Sequence, residues 1–200
     1  MEIRQYSKLT WGANQNILSK LMTGIINPMI LYAVPIWVDA TRYKWCTNRL
    51  RSTQRLMLTT TIRSFRTISA KAAIIISNSL PLEMRAQKLA AEFWIKKKRD
   101  LHTNNSYVIP KLLTAFGINP KEDDQKEARS KLEKRITQLW DMKCGEMADN
   151  HITKRFLPTP ESPKQLKNIK LHHTLVQILT GHSKLNSFFI QNQGHTSSTL

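Results

Sequence analysis

An apolar run leads directly into an arginine-rich stretch in the first half of this 200-residue chain. Residues 31–38 read LYAVPIWV, and residues 40–82 contain eight basic side chains and no acidic one. Apolar burial can hold a fold together while neighbouring guanidinium groups remain available to phosphate. This arrangement predicts a scaffold that binds a polyanion.

The positive charge is concentrated in the same half of the chain. The formal net charge is +17; residues 1–120 hold 18 basic and 5 acidic residues, whereas residues 121–200 hold 13 and 9. The polyanion-facing surface is therefore expected mainly in the first half. The 40% hydrophobic content predicts a globular chain of one domain or two small ones.

Hydrophobic spacing predicts helices and gives very little strand signal, so the predicted fold class is all-α. Residues 11–32 carry apolar side chains at helical spacing, with a division near Gly24 and a kink or restart at Pro28. Turn residues from 103 to 120 favour a linker between two parts. The predicted organisation is a basic helical domain over 1–102, a linker over 103–120 and a smaller helical subdomain over 121–200.

The helix predicted over 41–65 has two different faces when it is laid out at 100° per residue. The core side gathers Cys46, Leu50, Met57, Leu58 and Phe65. The opposite half carries Arg49, Arg51, Arg55, Arg63 and Arg66, with Trp45 and Leu56 among them. These arginines are candidate phosphate contacts, and the alternative is that they serve solubility on an exposed helix.

Further helices are predicted along the rest of the chain. Ser69 is expected to cap a buried helix ending at Ile76, and Pro81 to begin one that runs to Arg99. The tetrad Lys96, Lys97, Lys98 and Arg99 would favour the dipole at the C-terminal end of that helix and is a further candidate for nucleic-acid binding; it also resembles a short nuclear-import signal. Two later helices are expected over 122–146, with an apolar stripe of Leu132, Ile136, Leu139 and Trp140, and over 167–191, interrupted at Gly181.

No self-contained catalytic or metal site is predicted, and no cofactor. The adjacent Asp123 and Asp124 lie in a polar context that is typical of a helix N-terminus rather than of a buried two-metal site. The histidines at 172, 173, 182 and 195, with Cys144, lack zinc-binding spacing.

The expected location is intracellular, in the nucleus or cytoplasm. Two cysteines provide no disulfide framework, and the N-terminus has no secretory signal, so secretion is not expected. The apolar stretch at residues 25–38 is too short to span a bilayer, and no membrane partner is expected.

Four blocks, in order along the chain, together resemble one family. They are Trp11-Gly12-Ala13 with Leu21 and residues 30–40; Gln54-Arg55 with residues 63–69 and Ala72-Ala73; Leu80-Pro81-Leu82 with Glu92; and residues 177–182 with Phe188 and Gly194. This order resembles the region that follows the catalytic domain in reverse transcriptases of non-LTR retrotransposons of arthropods. The aromatic-x-Asp-Asp polymerase signature and the endonuclease of that family have no counterpart here. The resemblance therefore implies a truncated or decayed copy that is not an enzyme by itself.

The resemblance also implies separate roles for the arginine helix and for the apolar residues before it. The family's equivalent region forms a helical thumb and linker, so the arginine helix would lie along a template-primer duplex, RNA or DNA, independently of sequence. Tyr32, Ile36 and Trp37 would pack against the absent polymerase palm. Two alternatives remain open: a stand-alone helical nucleic-acid-binding adaptor, and a helical protein-interaction module whose charge serves solubility or an acidic partner.

Overall fold

The computed structural model describes residues 15–97, 108–119, 123–145, 152–158, 162 and 172–181. All regular secondary structure in these residues is helical, which confirms the predicted all-α fold class. The α-helices, numbered in chain order, are α1 Gln15–Leu21, α2 Asn27–Ile30, α3 Val34–Trp37, α4 Lys44–Thr61, α5 Ala70–Ile76, α6 Leu82–Lys96, α7 Val108–Ala115, α8 Gln125–Gly145, α9 Ile152–Phe156 and α10 His173–Thr180.

The first helical region is interrupted where the sequence indicates. A π-helical turn, Met22–Ile26, contains Gly24 and connects α1 to α2. Pro28 lies in the first turn of α2, and the backbone keeps right-handed helical angles from the π-helical turn into α2, so no new helix begins there and the predicted kink stays a prediction. A second break follows at Ala33, whose φ of 50° is left-handed, before α3 and a 3₁₀ turn at Val38–Arg42.

Packing divides the chain into two units, each built from separated stretches of sequence. The first unit comprises residues 1–20, 55–79 and 146–200, and the second comprises residues 21–54 and 80–145. The predicted division into residues 1–102, 103–120 and 121–200 stays a prediction. Within its predicted linker, residues 108–119 form α7 and a turn that contribute to the core of the second unit.

The core of the second unit lies where α6, α7 and α8 meet. Leu113, Phe116 and Ile118 pack there against buried side chains of the two longer helices. On α8, Leu132 and Ile136 are buried, and Leu139 and Trp140 pack partly buried against the same cluster, which confirms the predicted apolar stripe. Burial of each large apolar side chain stabilises the unit by about 1.5–3 kcal/mol.

The first unit contains the short buried helix predicted after residue 69. The Ser69 hydroxyl accepts a hydrogen bond from the N–H of Ala72 (3.1 Å), so the predicted cap is confirmed, and residues 72–76 are all buried. Helix α10 packs against α5 and α9. It ends at Gly181, whose φ of 76° marks the predicted interruption; the remainder of the helix predicted to 191 lies outside the described residues.

Two helices are shorter than the sequence predicts. Helix α4 covers Lys44–Thr61 rather than 41–65, and Phe65, predicted on its core side, is exposed because the chain has already left the helix. Cys46, Met57 and Leu58 are buried as predicted, and Leu50 is half-buried. Helix α6 ends at Lys96 instead of reaching residue 99.

Candidate nucleic-acid interface

Helix α4 presents an exposed stripe that contains one of the predicted arginines. Trp45, Arg49 and Ser52 are exposed and follow one another at spacings of four and three residues. Such spacing places side chains on the same face of a helix. No ion pair joins Arg49 to a carboxylate among the described residues, so its guanidinium group faces water.

Arg51 is instead held by a buried carboxylate. Its Nε donates to Oε1 of Glu83 at 3.0 Å and its Nη2 lies 2.9 Å from the same oxygen, while Nζ of Lys143 is 3.5 Å away. The Glu83 side chain is only 4% exposed. Because a buried charge is costly unless it is paired, this contact fixes α4 to α6 and engages Arg51 within the protein.

Arg55 forms hydrogen bonds with the backbone of the turn that follows α4. Its Nε donates to the carbonyl oxygen of Ile68 at 2.7 Å, and its Nη2 donates to the carbonyl oxygen of Arg66. Arg63 has a left-handed φ of 52° at the start of this turn, and its side chain is half-buried. The Arg66 side chain, by contrast, is exposed. The structure therefore gives the predicted arginines different surroundings.

The basic end of α6 is exposed as far as it is described. Lys96 is the last residue of the helix and Lys97 follows as its cap; both side chains are exposed. Nζ of Lys97 lies 5.6 Å from the centre of the Phe93 ring, within cation–π range. Lys98 and Arg99 lie outside the described residues.

The predicted palm-facing residues fall into two groups. Tyr32 is 81% exposed and Ile36 is 85% exposed, although both lie in a unit with a well-packed core. Trp37 is half-buried, and its indole Nε1 donates to the carbonyl oxygen of Tyr32 at 2.8 Å. Met29, one helical turn before Tyr32, adds to the exposed apolar surface.

Sequence reasoning missed two polar residues that position the arginine helix. Gln54 is buried, and its amide donates to the carbonyl oxygen of Leu80 (2.9 Å) and accepts from the N–H of Leu82 (3.0 Å). Glu83 holds Arg51, as described above. The sequence held one signal for each of them. Gln54 follows Leu50 by four residues, which places it on the core side of the helix. Glu83 is the one acidic residue between positions 39 and 92, so within that stretch it is the only carboxylate available to the arginines.

The acidic pair at 123 and 124 serves the start of α8. Asp123 is buried; it accepts from the N–H of Asn119 at 2.9 Å and from Nζ of Lys131 at 2.6 Å. The hydrogen bond that Lys131 donates to Asp123, followed by the one it donates to Glu127, raises the pKa of Lys131 above its usual range. Asp124 accepts from the N–H of Lys126 (3.4 Å). The predicted helix N-terminus is confirmed.

The described part of the chain contains no group of three histidine, cysteine or acidic residues that could hold a metal ion. Cys46 and Cys144 are free thiols. Burial, followed by the nearby Asp141 carboxylate, raises the pKa of Cys144 to about 11, which keeps this thiol neutral and unreactive at neutral pH.

Within the same described residues, no single helix is long and apolar enough to cross a membrane. One bent pair, Gln15–Ile30 with Val34–Arg42, reaches the required length and composition together, across a bend of 54°.

Comparison with known proteins identifies relatives along nearly the whole chain. A 115 kDa protein of the type-1 retrotransposable element R1DM of Drosophila melanogaster is 24% identical over 179 residues, which cover 89% of this chain and 17% of the relative. Two retrovirus-related Pol polyproteins from R1 elements of Nasonia vitripennis are 21% and 22% identical, each over 94% of this chain and over 44% and 49% of their own lengths. No protein-family model and no solved structure matches.

The chain spans less than half the length of each of these relatives. The similarity nevertheless extends through both packing units rather than through one short motif, because it covers about nine tenths of the chain. The predicted resemblance to non-LTR retrotransposon proteins is confirmed, whereas the region of those proteins that the chain represents stays a prediction: this chain is a relative of the Pol proteins of R1 retrotransposable elements.

Proposed function

We propose that this chain is the thumb and linker part of a reverse transcriptase, the RNA-directed DNA polymerase of a retrotransposon, and that it holds a template-primer duplex by its phosphate backbone. In this proposal the chain adds no nucleotides itself, because polymerase and endonuclease chemistry belong to other parts of the full-length protein. Contacts to phosphate carry no sequence information, so the grip is independent of sequence.

The observation that carries this proposal is the absence of acidic residues from positions 40–82, in a chain related to retrotransposon Pol proteins. Arg49 in the second unit and Arg66 in the first are exposed within that segment, and Lys96 and Lys97 are exposed at the end of α6. Arg49 and Arg66 lie in a stretch of sequence without acidic residues, and a cation far from carboxylates attracts phosphate strongly. Arg51 and Arg55 contribute indirectly, since their contacts fix the backbone that carries the exposed cations.

Salt-dependent binding tests this proposal. The affinity for an RNA–DNA hybrid of about 20 base pairs should fall by about 0.9 in log units per contacted phosphate for each log unit of salt. Arg49→Ala and Arg66→Ala should each reduce that slope by about 1 and weaken binding to different sequences equally. Lys134→Ala removes an exposed cation from α8 and is the matched control, with an unchanged slope. The assignment would be contradicted if Lys134→Ala reduced the salt dependence while Arg49→Ala and Arg66→Ala left it unchanged.

A protein-binding role is the second candidate, favoured by the exposure of Tyr32 and Ile36. Met29, Tyr32 and Ile36 are each more than two thirds exposed, and a large amount of exposed apolar surface is typical of an interaction site. In the full-length protein, we propose, this surface packs against the polymerase palm; in a stand-alone interaction module it would contact a separate protein.

Association with the catalytic segment of an R1 Pol relative, supplied as a separate polypeptide, tests the apolar surface. The double variant Tyr32→Ser, Ile36→Ser should lose that association, because its buried apolar area is removed. Met142→Ser, which alters an exposed apolar side chain on α8, should retain it. Equal loss in both variants, or no association of the unaltered chain, would contradict the palm assignment.

A further inference from the structure

The turn that follows α4 is held in place by a backbone hydrogen bond and by a buried isoleucine at each end. The N–H of Ser64 donates to the carbonyl oxygen of Thr59 at 3.0 Å, which closes the end of the helix. Ile62 and Ile68, at the two ends of the turn, are each 1% exposed. Since both ends are buried, the residues between them have a defined position.

Arg55 holds the same turn through its backbone. The guanidinium group donates to the carbonyl oxygens of Arg66 and Ile68, which lie 11 and 13 residues further along the chain. A planar guanidinium group that makes two such hydrogen bonds restrains both peptide groups. The turn is therefore preorganised before any ligand arrives.

The second half of this turn exposes its side chains, whereas Arg63 and Ser64 at its start are half-buried. Phe65 is 44% exposed, and Arg66 and Thr67 beside it are exposed as well. Lys71, in the first turn of α5, is also exposed. An aromatic ring held at the surface beside cations is the combination that single-stranded nucleic acids require: the ring stacks on a base while the cation binds the adjoining phosphate.

We propose that Phe65 and Arg66 form a binding site for an unpaired nucleotide, with the base stacked on the Phe65 ring and the phosphate paired with the Arg66 guanidinium group. The inference rests on the proposed binding of nucleic acid and goes beyond it, because stacking on a ring requires a base that is free of its duplex. The ligand is then a single-stranded extension of RNA or DNA rather than the duplex backbone alone.

Fluorescence anisotropy with the full chain tests the site, using a blunt RNA–DNA hybrid and the same hybrid with a single-stranded extension of about six nucleotides. The unaltered chain should bind the extended hybrid at least about fivefold more tightly, as expected for one stacked base. Phe65→Ala should abolish this difference while leaving affinity for the blunt hybrid unchanged, and Phe65→Trp should retain it. Phe156→Ala is the matched control, since Phe156 is an exposed phenylalanine beside an exposed arginine on α9.

The outcomes separate this inference from the proposed function. Equal affinity for the blunt and the extended hybrid would overturn the nucleotide site but would be consistent with the proposed binding of the duplex backbone. Equal weakening of both probes by Phe65→Ala would also overturn it, because stacking concerns the extension alone. Failure to bind either probe would overturn both proposals. Far-ultraviolet circular dichroism of each variant checks that the helices are intact, and the comparison of the two probes on the unaltered chain remains decisive if Phe65→Ala unfolds.

Discussion

Arg51→Met should destabilise the chain more than Glu83→Gln, although the two side chains form one ion pair. The Arg51 side chain is 43% exposed, whereas that of Glu83 is 4% exposed. When Glu83 loses its charge, the arginine can turn its guanidinium group to water. When Arg51 is replaced, the carboxylate stays buried with Lys143 as its one remaining ion-pair partner among the described residues, at 3.5 Å.

The magnitudes follow from that asymmetry. Removal of one partner from a fully buried pair costs about 3–5 kcal/mol. Because Arg51 is partly exposed and Lys143 remains, we expect Arg51→Met to lower the free energy of unfolding by about 2–3 kcal/mol. Glu83→Gln retains a neutral acceptor for Arg51 and should cost about 1 kcal/mol. The double variant Arg51→Met, Glu83→Leu removes both charges and should lie within about 1 kcal/mol of the unaltered chain.

Urea unfolding followed by far-ultraviolet circular dichroism measures these differences by linear extrapolation. Arg49→Met is the matched control, because Arg49 lies on the same helix with an exposed side chain, and it should change the free energy of unfolding by less than about 0.5 kcal/mol. The reasoning is refuted if Arg51→Met is as mild as this control, or if Glu83→Gln costs more than Arg51→Met.

Three further predictions concern single side chains. Ser69→Ala removes the cap of α5 and should cost about 1 kcal/mol in urea unfolding, whereas Ser69→Asn should cost little. Thr153→Val removes the donor to the carbonyl oxygen of Leu179 (2.9 Å) and should cost about 1–3 kcal/mol; a neutral effect would contradict the contact. In a Cys46→Ser background, alkylation of Cys144 by iodoacetamide should be on the order of a hundredfold slower at pH 8 than that of an ordinary thiol, and should accelerate until the pH reaches about 11.

Local signals in the sequence predicted most of the helices. The cap at Ser69, the division near Gly24 and the stripe of Leu132 and Ile136 on α8 depend on residues within one or two turns of each other. Such patterns are readable because helical spacing and caps are properties of short segments. The all-α class followed from them.

The partners of the arginines were not predictable in the same way. Arg51 meets Glu83 across 32 residues and Arg55 meets Ile68 across 13, so spacing along one helix could not reveal either contact. Helical layout placed both arginines on a cationic half, but it could not distinguish a cation in water from one engaged by the protein. The end of α4 was missed for a related reason: the left-handed position is occupied by Arg63 rather than by glycine, the residue that usually marks a helix end.

The salt dependence of binding to an RNA–DNA hybrid tests the central claim most directly. Contact of about four phosphates by the exposed cations predicts that log affinity falls with a slope of about −3.6 against log salt concentration, equally for hybrids of unrelated sequence. An affinity that does not change with salt, or no binding at about 50 mM salt, would contradict the account.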